Sequence, residues 1–467
     1  MRARASDVAA HLARLGVAPG SRVAVLLPRG AAAAAAIFGT LAAGGIVTVV
    51  NEESRPLQLA HICRTVGAAI IISSAEALTA ERRQAIGDVG MLFIEDVPAS
   101  PPSPVLDVRS ETPAQIVFTS GSSGAPKGVL SSHANLWAGA SCVSAYLGMC
   151  REDRVASLLS FAFVYGFNQL TIAMTVGATL VVERSALPPV LVGALARRAV
   201  TVIAAVPPLW QQLLGVAAFR DQRWESLRVV TNAGGHLAPA FVRALRSAQP
   251  GASLFLMYGM TEVFRSTFLA PAEVDAFPDS IGRAVPGSRV NVIRDDGTEC
   301  AVGEVGELVH SGPTVALGYW NDPESTMKVF RDHPLSSAKV RAVYTGDLAR
   351  RDAEGRLFHC GRRDAVIKTL GFRVSPDEIS DVIFSSAQVA ECAVHGVEDP
   401  MRGQVIVAHL VLNPEGTLDG VRAIIGRELP RHMHPSRMIE HQSLPRTPNG
   451  KIDLPALKAL VASPSPR

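Results

Sequence analysis

The sequence predicts an α/β protein. A large N-terminal domain of helix-covered sheets, carrying a β-rich subdomain, precedes a small mobile α+β C-terminal domain. Three observations predict this. Across the first half, helical spacing alternates with short β-branched runs, the pattern of parallel strands covered by helices. Residues 281–348 turn glycine-rich and strand-like. After residues 361–364, a charged stretch opened by Gly361, about a hundred residues resume a compact alternation of their own. The expected division is a domain over 1–360, a connecting segment at 361–365 and a small domain over 366–467.

The elements follow in order. Residues 5–15 space their apolar side chains helically, and 22–27 read as a strand. Residues 30–50 form an uncharged run of roughly membrane-spanning length. It is mostly alanine and glycine, split at Gly39-Thr40 and Gly44-Gly45, so a packed helix (31–43) followed by a strand (46–50) is predicted. Residues 56–66 are helix-like and 69–72 strand-like, and the Pro-rich 98–104 is a loop. Helices are predicted at 134–147 and 190–198, and strands at 179–183, 202–206 and 254–257. In the small domain, helices are expected at 378–384 and 418–429 and strands at 389–397 and 405–412.

Composition narrows the function. The 467 residues are 48% hydrophobic and 19% charged, which fits a globular enzyme rather than a disordered chain. A net charge of +3 argues for no nucleic-acid partner and no acidic membrane surface. Six scattered cysteines without a C-x-x-C pair fit reduced thiols, and no signal-peptide pattern is present, so a cytoplasmic protein without membrane insertion is expected.

The most informative segment is Thr119-Ser120-Gly121-Ser122-Ser123-Gly124-Ala125-Pro126-Lys127-Gly128, set between the apolar runs 116–118 and 129–130. Glycines let backbone N–H groups turn toward an anion, and the hydroxyls and Lys127 add donors and charge, as a triphosphate tail requires. It is not a P-loop: counting from Gly121, Pro126 stands at the second glycine and Gly128 at the magnesium-binding hydroxyl. A flexible linker would explain the composition but not a lysine held by Pro126 between two strand-like runs.

That segment resembles the phosphate loop of the adenylate-forming enzymes, comprising acyl- and aryl-CoA synthetases, stand-alone adenylation domains and luciferases. Further motifs of that family follow in order: Tyr258-Gly259-Met260-Thr261-Glu262, Gly303-Glu304-Val305-Gly306-Glu307-Leu308, Thr345-Gly346-Asp347, Gly361-Arg362-Arg363-Asp364 with Lys368, Gly371 and Arg373, and Pro448-Asn449-Gly450-Lys451. The resemblance implies an ATP-dependent ligase that makes an acyl adenylate and passes it to a thiol, with ATP and Mg²⁺ as cofactors. It assigns Lys451 to the substrate carboxylate and α-phosphate, Glu262 to Mg²⁺, Thr261 to the α-phosphate and Tyr258 to adenine. Asp347 would take the ribose hydroxyls and Arg362 would add charge near the nucleotide. Gly234, Gly235, Gly259 and Met260 would complete the nucleotide site beside the phosphate loop with Lys127. Asp364 matches the hinge about which the lid swings between half-reactions, and Gly371 and Arg373 the thiol channel.

The chain departs from the family at the acid pocket. Phe163 in Phe163-Val164-Tyr165-Gly166 stands where many acyl-CoA synthetases have histidine, and Ala162 where amino-acid adenylation domains have aspartate. No acidic residue occurs over 161–182. A buried ammonium without a carboxylate costs several kcal/mol, so a free α-amino acid is disfavoured. The expected substrate is a small aryl or alkyl carboxylic acid with an uncharged tail, contacted by Ala162, Phe163, Tyr165 and Asn168. Packing in the core is the competing reading of Phe161, Phe163 and Phe167. The thiol is CoA or the phosphopantetheine of an acyl or peptidyl carrier protein. Alternatives are an amino-acid–carrier-protein ligase, an atypical member activating nitrite or using an amine acceptor, and a nucleotide-binding regulator without catalysis.

Overall fold

In the computed structural model, which describes residues 1–100, 108–119, 126–363, 365–370, 372–399, 401–447 and 451–462, the N-terminal alternation becomes a seven-stranded sheet. Arg22–Leu26 lies parallel to Ile46–Val49 on one side and to Ile70–Ser73, then Gly90–Phe93, on the other. Pro113–Phe118 joins in parallel, Gly128–Ser132 returns antiparallel, and the short Gly318–Tyr319 closes that edge. The run at 30–50 is the helix Ala31–Ala42 followed by Ile46–Val49. Its alanines and glycines permit close packing. A Cβ on Gly39 would lie 2.6 Å from Val8 of the helix Arg2–Arg14, so any larger residue would push the two helices apart. No helix among the described residues is long and apolar enough to cross a membrane.

A second, mixed sheet begins with parallel strands in the order Thr179–Val182, Arg154–Ser157, Val202–Ala205, Val229–Asn232 and Ser253–Tyr258. It continues antiparallel through Thr267–Leu269, Ser280–Ala284, Leu357–Arg362, Arg341–Arg351, Val305–Ser311 and Arg289–Ile293. The β-rich subdomain therefore extends a parallel sheet by hydrogen bonding. The change of direction occurs at Tyr258, at the carboxyl end of the last parallel strand, where open α/β sheets place their ligands.

The small C-terminal unit is a five-stranded sheet built around Val389–Asp399 and Gly403–Leu412. The helices Pro376–Ser385 and Leu418–Glu428 bury Ile379, Ile383, Val421 and Ile425 against it. It docks on the large domain: Phe384 meets Phe241 edge-on at 5.2 Å between ring centres.

Candidate active site

The strands on either side of the phosphate segment pair with each other. Pro113–Phe118 and Gly128–Ser132 pair antiparallel, and the Thr119 N–H donates to the Lys127 carbonyl at 2.9 Å, so Lys127 stands at the end of the paired strands. Of the residues expected to act, Ser120, Gly121, Ser122, Ser123, Gly124, Asp364, Gly371 and the Arg373 side chain lie outside the described residues, as do Pro448, Asn449 and Gly450. Lys127 Nζ donates to Ser325 Oγ at 2.7 Å and lies 5.3 Å from the centre of the Tyr319 ring.

The loop between Ser253–Tyr258 and Thr267–Leu269 carries Gly259, Met260, Thr261 and Glu262. It closes tightly, the Ser266 N–H donating to the Tyr258 carbonyl at 3.0 Å. A Cβ at Gly259 would come within 3.0 Å of the Arg265 Cα, so this position takes glycine because the returning chain is close. Glu262 is buried and accepts a 2.7 Å hydrogen bond from the Tyr319 hydroxyl. Burial pushes its carboxyl above the usual range, with Tyr319 opposing. Tyr319 thus touches the two groups of opposite charge that sequence reasoning placed at the phosphates, Lys127 and Glu262. Sequence reasoning missed it, because the contact depends on Gly318–Tyr319 pairing with the phosphate hairpin from nearly two hundred residues away. Tyr319→Phe should lower the adenylation rate about tenfold, the worth of one hydrogen bond to a charged group. It should also move the acid limb of the pH–rate profile upward, because the group holding the Glu262 carboxyl down is gone. A profile with an unmoved acid limb would contradict this.

Thr345, Gly346 and Asp347 form an irregularity in the strand Arg341–Arg351, whose register shifts against both neighbours there. Gly346 has φ +72°, and its N–H donates to Glu307 Oε1 at 2.9 Å. The bulge turns Asp347 inward. Its Oδ2 accepts a short hydrogen bond from the Tyr258 hydroxyl, and Oδ1 is buried without a hydrogen-bond partner. Arg362 Nη1 is 3.7 Å and His359 Nε2 4.0 Å from that Oδ1. Burial pushes the Asp347 carboxyl up, but His359, Tyr258 and Arg362 outweigh it and hold it below the usual carboxylate range. A buried, charged oxygen lacking a donor matches a ligand hydroxyl. Gly234, with φ +79°, and Gly235 lie in the loop after Val229–Asn232, where Asn232 Nδ2 donates to the Gly235 carbonyl at 3.2 Å.

Lys451, in the other domain, lies near enough for its charge to be felt by this group. It keeps solvent contact, yet crowding by protein atoms lowers its ammonium pKa; the Arg362 charge adds to the shift and Asp347 opposes it. Asp347, Arg362 and Lys451 are therefore close enough to feel one another. Two histidines hold the domains in this pose, and sequence reasoning overlooked both. His236 Nε2 lies 2.8 Å from Asp381 Oδ1, and His359 Nδ1 lies 3.5 Å from Asp377 Oδ2, both aspartates on the helix Pro376–Ser385. Burial pulls His359 down, but Asp347 and Asp377 outweigh it and raise it to about 9. A histidine raised in the folded state stabilises fully below its ordinary value near 6.5. That contribution is lost as pH rises through about 9. Thermal unfolding followed from pH 6 to pH 10 should show this loss, and His359→Phe should flatten the profile over that window.

At the acid side, Ala162 packs in a core cluster with Phe161 and Phe167. Phe163 is half-buried and caps the helix Val164–Val176. Tyr165 and Asn168 line an enclosed cavity of about 20 Å³, room for one water, together with Gln169, Ile172, Thr231 and Met257. The Tyr165 hydroxyl is 2.6 Å from Thr231 Oγ1, and neither amide atom of Gln169 has a partner. Arg265 stands over the Tyr165 ring at 5.0 Å, buried to 3% exposure. Its only sequence signal was a charge inside the apolar stretch 263–269.

The chain matches the model of the AMP-binding enzymes over residues 1–320 and that of the AMP-binding enzyme C-terminal domain over 378–451. Malpinin synthetase of Mortierella alpina is 29% identical over 98% of this chain, which spans 6% of that protein's length. A sulfoacetate–CoA ligase of Cupriavidus necator is 31% identical over 94% of this chain and 87% of its own. The fold superposes on ATP-bound MatB from Rhodopseudomonas palustris with a TM-score of 0.87 and 24% identity, covering 98% of this chain and 92% of that one.

Proposed function

This chain belongs to the AMP-binding, adenylate-forming enzymes, the family that includes AMP-forming acid–thiol ligases, and we propose that it activates a small carboxylic acid without a free α-amine and transfers it to a thiol. The observation that carries this reading is Asp347, buried with one oxygen lacking a donor beside Arg362 and Tyr258, with Lys451 of the small domain near enough for its charge to be felt there. A carboxylate is a poor electrophile because its oxygen leaves badly. Attack of that oxygen on the α-phosphorus of ATP forms an acyl adenylate, breaks the α–β phosphoanhydride bond and releases pyrophosphate. Negative charge gathers on phosphate oxygens in the transition state, so fixed cations there lower the barrier.

Asp347 receives the ribose hydroxyls on its donor-free oxygen, and Tyr258 lies against adenine. Lys127, at the end of the paired strands, meets the outgoing phosphates, and Thr261 the α-phosphate. Lys451 bridges the acid and the α-phosphate, with Arg362 adding charge beside them. Glu262 would hold Mg²⁺ on the protein side. A hard carboxylate suits an ion bound mainly through the nucleotide's phosphates. When bound, Mg²⁺ neutralises phosphate charge, and its proximity favours the ionised carboxylate that burial disfavours.

In the second half-reaction the thiol sulfur attacks the acyl carbon and AMP leaves. The lid turns about Asp364, withdrawing Lys451 and bringing Gly371 and Arg373 to the acceptor path. CoA or carrier-bound phosphopantetheine supplies the thiol. The test is acid-dependent ATP–pyrophosphate exchange over a panel of acids, followed by AMP release on addition of CoA or of a holo-carrier protein. Exchange that needs no acid, or ATP hydrolysis to ADP, would refute the reading.

A further inference from the structure

We infer that the acid activated here carries a second anionic group, a carboxylate or sulfonate, and that Arg265 binds it. The inference rests on the ligase reading above and names the substrate class of that same site.

Arg265 is placed with care. The preceding residue, Phe264, has φ +60°, a left-handed conformation unfavourable for a bulky side chain. The Arg265 N–H reaches back to the Val263 carbonyl at 2.5 Å, a tight three-residue turn. The Phe264 ring is buried in the space left by Gly139, where a Cβ would lie 2.4 Å from it. Packing of Phe264 therefore sustains the turn, and the turn sends Arg265 inward toward Tyr165.

What surrounds the guanidinium is neutral. No carboxylate among the described residues pairs with Arg265, and its Nε has no hydrogen-bond partner. The titratable groups near enough to feel its charge are Cys142, Tyr146 and Tyr165, and burial raises the pKa of each, that of Tyr165 to about 12. All three are uncharged at neutral pH. The Tyr165 ring face supplies a cation–π contact, which only partly replaces lost solvation. Gln169, on the same helix as Tyr165, also keeps both amide atoms buried without a partner. A cation kept buried without its counter-ion lacks an anion that the ligand must bring.

The reacting carboxylate does not supply it, since Lys451 takes that group on the reading above. The body of the acid therefore ends in a second anion, and the absence of acidic side chains over residues 161–182 leaves nothing to repel it. This replaces the uncharged tail expected from Ala162 and Phe163. The 31%-identical relative is named for sulfoacetate, a carboxylate with a sulfonate tail.

The experiment measures pyrophosphate exchange with malonic, succinic, phthalic and sulfoacetic acids, each against its monoamide, for wild type, Arg265→Met and Arg265→Lys. The wild type should favour at least one dianion over its monoamide by roughly a hundredfold or more in kcat/KM, because the monoamide leaves the guanidinium unpaired. Arg265→Met should abolish that preference with the KM for ATP unchanged, and Arg265→Lys should restore part of it. Arg265→Met should also unfold at a higher temperature, since a buried unpaired charge is removed. Wild type that binds ATP but favours no dianion overturns the proposal. So does Arg265→Met slowing both members of each pair equally, or weakening ATP, which would assign Arg265 to the reacting carboxylate or the phosphates. Wild type that binds no ATP by calorimetry strikes the ligase reading itself.

Discussion

Lys451→Ala is expected to abolish acid-dependent pyrophosphate exchange, lowering its rate by at least about 10²–10³-fold, or about 3–4 kcal/mol of transition-state stabilisation. On the proposed mechanism the lysine bridges the acid oxygen and the α-phosphate, and alanine leaves the developing charge without that cation. Stability should scarcely change, because the side chain keeps solvent contact and surface ion pairs contribute little. Thiolysis of a pre-formed acyl adenylate should survive, since the lid has turned Lys451 away by that step. The check is the pair of half-reactions measured separately, with thermal unfolding as a control. Near-normal exchange would remove Lys451 from the chemistry, and equal loss of both half-reactions would remove the two-pose account of the lid.

Asp347→Ala should raise the KM for ATP by roughly 10²-fold, because two charge-assisted hydrogen bonds to the ribose, each about 1.5–3 kcal/mol, are lost and partly replaced by water. The consequence spreads further, since Asp347 also accepts from Tyr258 and lies beside His359 and Arg362. Without it, His359 keeps only Asp377 as a carboxylate partner, so its titration should move down from about 9. Asp347→Asn separates the two effects. The amide oxygen can still accept from Tyr258, but it carries no charge to hold His359 protonated. Nucleotide binding by calorimetry together with the His359 titration by NMR provides the measurement. An unchanged ATP affinity in both variants would take Asp347 out of the nucleotide site.

Much of this was legible along the chain because the evidence is local. Strand and helix periods follow from neighbouring residues, so Pro56–Val66 was read to the residue and the run at 30–50 resolved into its helix and strand. The phosphate role proposed for residues 119–128 rests on local pattern too: backbone anion binding needs glycines, hydroxyls and a lysine close together in sequence. The order of the motifs carried the family, since spacing survives when most side chains change. Ala162 shows the limit. Its position beside Phe161 and Phe163 pointed to the pocket, yet the fold packs it into the core, because which face of a segment is buried depends on what lies against it.

Other features existed only once distant segments met. Tyr319 touches Lys127 and Glu262 because a two-residue strand crosses to the phosphate hairpin. His236 and His359 matter because a helix of the other domain presents Asp381 and Asp377 to them. Arg265 looked like one arginine among many, and only its burial without a counter-ion distinguishes it. The sequence by itself thus determined the fold class and the family, since these rest on short-range pattern and composition. Tertiary structure decided how the domains hold one another and which buried charge is left without a counter-ion. Burial and the charge of neighbours set the energy of an ionised group, and neither quantity exists until the chain has folded.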